Sequence, residues 1–224
     1  ENVIDVCIDQ KVERVIALST DKAANPANLY GATKLCADKL FIAANGLSGR
    51  HRTRFSVVRY GNVVGSRGSV IPFFMQKRKE GVLPITDPRM TRFWITLGQG
   101  TQFVLDSLER MHGGEIFVPK IPSMKIMDVA KAVAPECRTE IIGIRPGEKL
   151  HEIMITPDDA WNTVELDRYY VIQPAADWWD SKTYIDNMHA RRVPDGFQYS
   201  SDQNTEWMSA DDLQALLKRE PVEA

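Results

Sequence analysis

Short apolar runs alternate with longer amphipathic stretches in this chain, and this alternation restricts its fold more than any other feature of the 224 residues. The run RVIALS (14–19) precedes a helical pattern that starts after Asn28 and ends near Gly46, and a second apolar run, RFSVVRYGNVVG (54–65), follows. Continuous apolar runs of this length are typical of buried parallel strands. Strand, helix and strand in succession build a parallel sheet with helices on its faces. We therefore predict an α/β fold with a doubly wound parallel sheet.

The remaining pattern predicts further elements of the same kinds. An amphipathic helix opens the chain, with Val3, Ile4, Cys7 and Ile8 on its buried face. Beyond residue 65 the predicted elements are a helix after a glycine-rich loop (65–81), two short strands around an Asp-Pro turn (82–97), a helix (98–111), a strand (115–119), a helix (125–134), a strand (139–144) and a last short helix (213–217). The change of character after residue 65 predicts a smaller mixed lobe beside the sheet.

Composition excludes several classes of function. A formal net charge of -2 leaves no basic footprint for nucleic acid or for a membrane surface. No apolar stretch approaches the roughly 20 residues that cross a bilayer. Three widely spaced cysteines favour a reduced, cytoplasmic setting. The four histidines lack metal-ligand spacing, so no metal site is predicted.

The segment LSTDKAANPANLYGATK (18–34) concentrates the chain's reactive groups. Tyr30 and Lys34 are one helical turn apart and share a face. A phenol has a pKa of about 10, and a neighbouring ammonium favours the phenolate. Such a pair can take the proton from a hydroxyl that is being oxidised beside a nicotinamide. By itself the spacing also fits an exposed tyrosine beside a solvated lysine.

Placement strengthens the catalytic interpretation. Thr20, Asp21 and Lys22 come directly after the first predicted strand. Ligands of open α/β sheets bind at the carboxyl ends of the strands, so these side chains should face the same crevice as Tyr30. The alternative for Asp21 and Lys22 is an ordinary surface turn before a proline.

The segment STDKAANPANLYGATK resembles the active-site segment of extended short-chain dehydrogenase/reductases that act on nucleotide sugars. With RYGNVVGSRGSVIPFF, TDPRMTRFWIT, RPGEKLHE and the tail motifs YYVIQP and GFQYSSDQNTEW, the chain is similar nearly end to end to the inverting UDP-N-acetylglucosamine 4,6-dehydratases. The resemblance implies a partial Rossmann-like sheet and a lyase reaction that starts pseudaminic acid synthesis. C4 of the sugar is oxidised, water is eliminated across C5 and C6, and C6 is reduced as C5 is inverted.

The resemblance also implies roles for individual residues. Tyr30 takes the C4 hydroxyl proton, Lys34 tunes it and holds the nicotinamide ribose, and Thr20 hydrogen-bonds the C4 oxygen. Lys22 is the base at C5 and Asp21 the acid at C6, although the residues leave this division open. The loop around the nicotinamide is Val63, Val64, Gly65, Ser66 and Arg67. The substrate-binding positions are Asn62, Arg92, Arg145 and Glu148.

Other residues are expected to have no role in the chemistry. Lys149 and Arg89 are expected to be solvated charges, as is the run KRKE (77–80). Trp178 and Trp179 are expected to pack the tail onto the body.

One family feature is missing from the sequence. No G-x-G-x-x-G loop occurs, although the family uses one to bind the pyrophosphate of the dinucleotide. We therefore expect about a hundred further residues before Glu1, the length of half a Rossmann unit. The chain alone should then be inactive, and the choice of NADP over NAD stays open. The expected partners are UDP-N-acetylglucosamine and further copies of the chain.

The predicted division has three parts: the C-terminal half of the dinucleotide-binding domain (1–65), a substrate lobe (66–160) interleaved with returning elements of the sheet (98–119), and a C-terminal extension (161–224). Three alternatives of function remain open. The chain could be a UDP-sugar 4-epimerase, a retaining 4,6-dehydratase or a non-catalytic remnant, and the adjacent Asp21 and Lys22 favour elimination.

Overall fold

The computed structural model describes residues 1–48 and 53–219, which form seven helices and thirteen strands in the described part of the chain. The helices are α1 (Asn2–Asp9), α2 (Leu29–Leu47), α3 (Val70–Lys77), α4 (Leu97–Arg110), α5 (Ile126–Val133), α6 (Ser181–Met188) and α7 (Ala210–Arg219). The strands are β1 (Arg14–Thr20), β2 (Arg54–Tyr60), β3 (Asn62–Val63), β4 (Val82–Ile85), β5 (Thr91–Ile95), β6 (Ile116–Pro119), β7 (Ser123–Lys125), β8 (Arg138–Ile141), β9 (Ile153–Ile155), β10 (Thr163–Glu165), β11 (Tyr169–Ile172), β12 (Arg191–Arg192) and β13 (Tyr199–Ser200). The α/β class predicted from the sequence is confirmed.

Two compact units divide the chain. Unit 1 contains residues 1–60, 98–120 and 153–199, and unit 2 contains residues 61–97, 121–152 and the stretch that begins at Ser200. The functional division predicted from the sequence (1–65, 66–160 and 161–224) stays a prediction.

Unit 1 is built on a six-stranded sheet in the order β1-β2-β6-β11-β10-β12. The strands β1, β2 and β6 are parallel, and β11, β10 and β12 follow as antiparallel neighbours. Val58, Phe117 and Val171 lie at the centre of its core and have no exposed surface. Helix α2 connects β1 to β2, which is the crossover that parallel neighbours require. The carboxyl end of β1 and the start of α2 therefore follow each other at one edge of the sheet.

Unit 2 contains two small sheets and three helices. Its sheets are β3-β5-β7 and the parallel pair β4-β8. Helices α3, α5 and α7 pack over Trp94, Phe74 and Met124, which are buried. The last helix was predicted around Leu213, and Leu213 is the fully buried residue of α7.

Two details of the predicted first elements are wrong. Val3 was expected on the buried face of α1, but 60% of its surface is exposed, and only Ile4 of that helix is buried. The run 54–65 was predicted as one strand, but β2 ends at Tyr60 and β3 belongs to another sheet. Gly61 lies between the two strands. A Cβ atom at this position would lie 2.5 Å from the Cβ of Phe93 on β5. A glycine is the residue that permits so close an approach of the backbone.

The tail also holds more regular structure than the pattern predicted. Strands β10, β11 and β12 and helix α6 lie within residues 161–200, where the sequence indicated only turns and aromatic residues. All four residues of β11 are buried in the main sheet. Four-residue strands rich in tyrosine carry little periodicity, so their neighbours in the fold decide their conformation.

Candidate active site

The end of β1 carries a buried carboxylate surrounded by donors. Asp21 has no exposed surface, and its backbone N–H donates to the carbonyl of Tyr60 at 3.1 Å. The Thr20 hydroxyl donates to Asp21 Oδ1 at 2.8 Å, and Lys22 Nζ donates to the same oxygen at 2.9 Å. A buried charge is tolerated only when it is paired and hydrogen-bonded, and this one is both. The alternative of an ordinary surface turn is contradicted for Asp21, while the side chain of Lys22 is 35% exposed.

The start of α2 presents the phenol. Asn28 caps the helix as predicted, because its Oδ1 accepts from the N–H of Gly31 at 2.9 Å. Tyr30 follows in the first turn with 57% of its surface exposed. Lys34, one turn later, donates from Nζ to the carbonyl of Leu18 near the end of β1, at 2.7 Å. That contact fixes the ammonium beside the strand that ends in Thr20.

A glycine joins these two parts of the site. A Cβ atom on Gly31 would lie 2.4 Å from the carbonyl oxygen of Lys22 and 3.0 Å from the Cβ of Pro26. The first turn of α2 therefore packs directly against the backbone of the loop that carries Asp21 and Lys22. The structure brings together Thr20, Asp21, Lys22, Tyr30 and Lys34 within one strand, loop and helix of unit 1.

These residues fit the nicotinamide end of a dinucleotide. An ammonium group has three N–H donors, and the bond from Lys34 to Leu18 uses one of them. The remaining donors can reach a ribose hydroxyl while the exposed Tyr30 meets the reacting hydroxyl. An exposed phenol followed one helical turn later by an ammonium is a donor set that can serve a hydroxyl oxidation.

The predicted nicotinamide loop is a pair of turns after β3. The N–H of Ser66 donates to the carbonyl of Val63, and that of Ser69 donates to Ser66. Gly65 has a φ of +72°, a left-handed conformation that glycine adopts without strain. Val64 packs against the core of unit 2, and Ser66 and Arg67 are exposed. Val63 ends β3, and the other four residues form the loop that follows it.

Unit 2 contains a cavity of about 420 Å³. All four residues predicted to bind substrate line it: Asn62, Arg92, Arg145 and Glu148. Phe73, Ile85 and Met90 supply part of its apolar wall. Among the residues that the structure describes, Asn62 Oδ1 and Ser69 Oγ are buried without a hydrogen-bond partner. Apolar walls with a few placed polar groups are typical of small-molecule sites.

Arg92 lies in the cavity wall, but its guanidinium bonds mainly to protein. It donates from Nη1 to the carbonyls of Thr91 (2.7 Å) and Leu150 (3.1 Å), and from Nη2 to that of Lys149 (3.0 Å). These bonds attach strand β5 to the segment that carries Arg145 and Glu148. Arg145 is exposed, and its N–H donates to Glu148 Oε2 at 3.2 Å. Of the two arginines predicted to bind substrate, Arg145 is the more exposed.

Sequence reasoning missed a buried carboxylate behind this wall. The side chain of Glu152 is 4% exposed, and each of its oxygens lies 3.6 Å from a cation, Arg92 Nε or Lys149 Nζ. Lys149 was predicted to be solvated, which is wrong, because its side chain is only 13% exposed. Arg89, at 72% exposure, is the solvated charge that was expected. The spacing of Lys149 and Glu152, three residues apart in KLHE, was the available signal.

Other predicted structural roles have mixed outcomes. The run 77–80 is a solvated face, with the side chains of Lys77, Arg78 and Glu80 all at least one third exposed. Trp179 packs against Tyr184 within the tail, with ring centroids 5.0 Å apart, and against His112 of the body at 6.5 Å, as expected for a residue that packs the tail onto the body. Trp178 stays half exposed. A buried pair, Arg59 and Asp38, was also missed, since neither residue stands in a recognisable motif.

The described residues contain neither a metal-binding cluster nor a membrane-spanning helix. Within residues 1–48 and 53–219, no group of three or more His, Cys, Asp or Glu side chains is arranged to hold a metal ion. No helix in the same ranges has the length and apolar character needed to span a bilayer.

Comparison with known proteins finds a family model and several enzymes that act on sugar nucleotides. The family model described as "Polysaccharide biosynthesis protein" matches residues 1–174. A UDP-N-acetylglucosamine 4,6-dehydratase (inverting) from Campylobacter jejuni is 57% identical over 223 residues, which cover 97% of this chain and 67% of that protein. A UDP-glucose 4-epimerase from Rickettsia conorii is 43% identical over 177 residues, covering 77% of this chain and 52% of that protein.

A solved structure supports the same relationship. The X-ray structure of Pen from Bacillus thuringiensis matches with a TM-score of 0.85 and 34% identity, and the match covers 100% of this chain and 66% of that one. The chain thus spans about two thirds of the length of the dehydratase and of Pen.

Proposed function

This chain belongs to the polysaccharide biosynthesis protein family, and on that premise we propose that it carries the reacting groups of an inverting UDP-N-acetylglucosamine 4,6-dehydratase. The observation that carries the proposal is the bonded group of Thr20, Asp21 and Lys22 that precedes the exposed Tyr30. A hydroxyl oxidation needs only Tyr30 and Lys34. An elimination needs a further acid and base, and Asp21 and Lys22 supply them.

In the first step, Tyr30 takes the proton of the C4 hydroxyl, Lys34 stabilises the phenolate, and Thr20 donates to the C4 oxygen. When bound, NADP would supply the removal of hydride from C4 and its return to C6, and C5 would then take a solvent-derived proton on the face opposite to the one it lost. The resulting C4 ketone makes the C5 proton acidic, so an amine base can remove it.

The elimination leaves the total number of protons on Asp21 and Lys22 unchanged. Asp21 and Lys22 can exist as an ion pair or as an acid and an amine, which differ by one proton moved along the 2.9 Å hydrogen bond. In the neutral form Lys22 takes the C5 proton while Asp21 protonates the departing C6 hydroxyl, which leaves as water. The pair then stands as ammonium and carboxylate, so the two side chains together hold the same number of protons as before the step.

The cavity of unit 2 is proposed to bind the nucleotide end of the substrate. The exposed Arg145 fits one phosphate through a bidentate guanidinium. Glu148 fits a ribose hydroxyl and Asn62 a substrate polar group, while Arg92 holds the wall through the carbonyls to which it donates. The loop of Val63, Val64, Gly65, Ser66 and Arg67 is proposed to lie against the nicotinamide.

The finer assignments are part of the proposal. We assign NADP rather than NAD, the lyase class and the first step of pseudaminic acid synthesis on the resemblance to inverting dehydratases. A homo-oligomer is proposed on the same ground. A cytoplasmic setting is proposed because Cys7, Cys36 and Cys137 are all free thiols.

One experiment tests the function. The protein at its full natural length is incubated with UDP-N-acetylglucosamine and NADP in heavy water, and the sugar protons are followed by NMR. We expect a 4-keto-6-deoxy sugar with deuterium at C5 and inverted C5 configuration. Retained configuration at C5 would indicate the retaining dehydratase, and absence of any turnover would contradict an enzymatic role.

The competing candidate is a 4-epimerase, and the 43% identity to the Rickettsia enzyme favours it. That reaction needs Tyr30 and Lys34 but leaves C5 and C6 untouched. A product epimeric at C4, with protium retained at C5, would replace the dehydratase proposal with this one.

A further inference from the structure

We propose that the buried pair Arg59 and Asp38 positions helix α2, and with it Tyr30 and Lys34, for the oxidation at C4. The expected effect on kcat rests on the proposed function, whereas the expected effect on the structure of α2 does not. Neither residue touches the reacting groups, so both are positioning residues.

The pair lies inside unit 1. Arg59 Nη2 and Asp38 Oδ2 are 3.2 Å apart, and each side chain is 3% exposed. Arg59 Nη1 donates to the carbonyl of Met154 at 2.9 Å and lies 3.5 Å from Asp159 Oδ2. A planar guanidinium makes these contacts in fixed directions, so it holds the helix, the strand and the segment from 154 to 159 in one arrangement.

Stability alone does not account for such a pair. Removing two charges from water costs as much as their attraction returns, and apolar side chains of similar volume often serve equally well. What an ion pair adds is direction. We therefore look for the contribution of Arg59 and Asp38 in geometry, although removal of one partner of a buried pair also lowers the free energy of unfolding.

The pair is connected to both halves of the catalytic segment. Asp38 lies one helical turn beyond Lys34 on α2, so it fixes the turn next to the catalytic lysine. Arg59 precedes Tyr60, whose carbonyl accepts the N–H of Asp21 at 3.1 Å. A single strand end thus anchors the helix that carries Tyr30 and the backbone of Asp21.

The test compares two isosteric variants in the full-length enzyme. Asp38→Asn removes the carboxylate on α2, while the matched control Asp159→Asn removes the other carboxylate near Arg59, which is not on that helix. We expect Asp38→Asn to lower kcat by about tenfold or more, because small displacements of reacting groups cost that much. KM for the UDP-sugar should stay within about twofold, and Asp159→Asn should keep the kcat of the wild type.

A second readout separates positioning from loss of stability. With substrate deuterated at C4, the isotope effect on kcat should rise in Asp38→Asn, because cleavage at C4 has become slower. A third variant, Asp38→Glu, keeps the charge pair but lengthens it by one methylene, and kcat should remain lowered. Full activity in Asp38→Glu, an unchanged isotope effect, or equal losses in both asparagine variants would overturn the inference.

Hydrogen exchange keeps the inference testable without turnover. Amides of residues 29–38 should exchange faster in Asp38→Asn than in Asp159→Asn, and equal rates would overturn the positioning role. A wild-type protein that does not convert UDP-N-acetylglucosamine would refute the proposed function. The exchange rates would still show whether Asp38 holds helix α2 in place.

Discussion

At the scale of single residues, the site combines one fully buried carboxylate with side chains that remain accessible. Asp21 is held by its backbone and by two donors, whereas Lys22 is one third exposed and Tyr30 more than half exposed. The burial of Asp21 and the partial exposure of Lys22 and Tyr30 leave two of these side chains accessible to a ligand. The two cations of the segment also differ in task, since Lys34 is bonded to a backbone carbonyl and Lys22 to a carboxylate.

Replacing Lys22 by Ala should abolish the elimination but not the binding of substrate. We expect turnover to fall by about a hundredfold or more, the range for loss of a general base. Deuterium should no longer enter C5 in heavy water, as measured by NMR. The exposed Lys39 on α2 serves as the control, and Lys39→Ala should behave as the wild type. Normal C5 exchange in Lys22→Ala would remove Lys22 from the mechanism.

Replacing Arg145 by Ala should weaken the binding of the sugar nucleotide. Hydrogen bonds to charged groups contribute about 1.5 to 3 kcal/mol, so KM should rise by about tenfold to a hundredfold. The control Arg89→Ala removes a guanidinium that is 72% exposed and paired with Asp87, and KM should stay within about twofold. Steady-state kinetics with both variants decide this, and an equal loss of cofactor affinity would refute the phosphate role.

At the scale of elements, the start of α2 is the critical junction of unit 1. The helix is capped by Asn28 and packed through Gly31 onto the carbonyl of Lys22, so its position and that of the loop of Asp21 and Lys22 cannot vary independently. In unit 2 the corresponding junction is the segment 145–152, which Arg92 attaches to β5. Both junctions are made by backbone carbonyls, which no sequence pattern marks.

Gly31→Ala should reduce activity although alanine is the better helix former. Its Cβ would lie 2.4 Å from Lys22 O, so the loop must move, and kcat should fall by about tenfold. Gly46, in the last turn of the same helix, has no atom within 4 Å of a Cβ, and Gly46→Ala should raise the free energy of unfolding by about 0.5 to 1 kcal/mol. Kinetics and urea unfolding of both variants measure this, and a fully active Gly31→Ala would contradict the junction.

At the scale of the whole molecule, charges buried in unit 1 make its stability depend on pH. Glu115 has no exposed surface and accepts from the Ser56 hydroxyl at 2.6 Å and from the N–H of Gly113 at 2.8 Å. Burial pushes the pKa of Glu115 up, but the hydrogen bonds from His112 and Ser56 outweigh it and leave the pKa below its usual value. The hydrogen bond to Glu115 holds the pKa of His112 above its usual 6.5.

His112 should therefore stabilise the fold below pH 6.5 and lose this contribution as the pH rises through its raised pKa. The effect should be small, because the His112 side chain is 52% exposed. The free energy of unfolding, measured with urea, should be lower at about pH 8.5 than at about pH 6 in the wild type. His112→Gln should not show this difference. An identical decline in both proteins would exclude His112 as its source.

What the sequence determined by itself is the set of local features. Apolar runs predicted β1, β2 and β6, helical spacing and Asn28 predicted α2, and the quoted motifs supplied the residues of the proposed site. These features depend on neighbours within a few positions, so they can be read without knowing the fold. Tertiary structure alone decided the rest. The strand β11, the break at Gly61, the commitment of Arg92 to carbonyls and the pair of Arg59 with Asp38 all depend on atoms that are distant in sequence, because burial and hydrogen bonding are set by which chain segments meet in space.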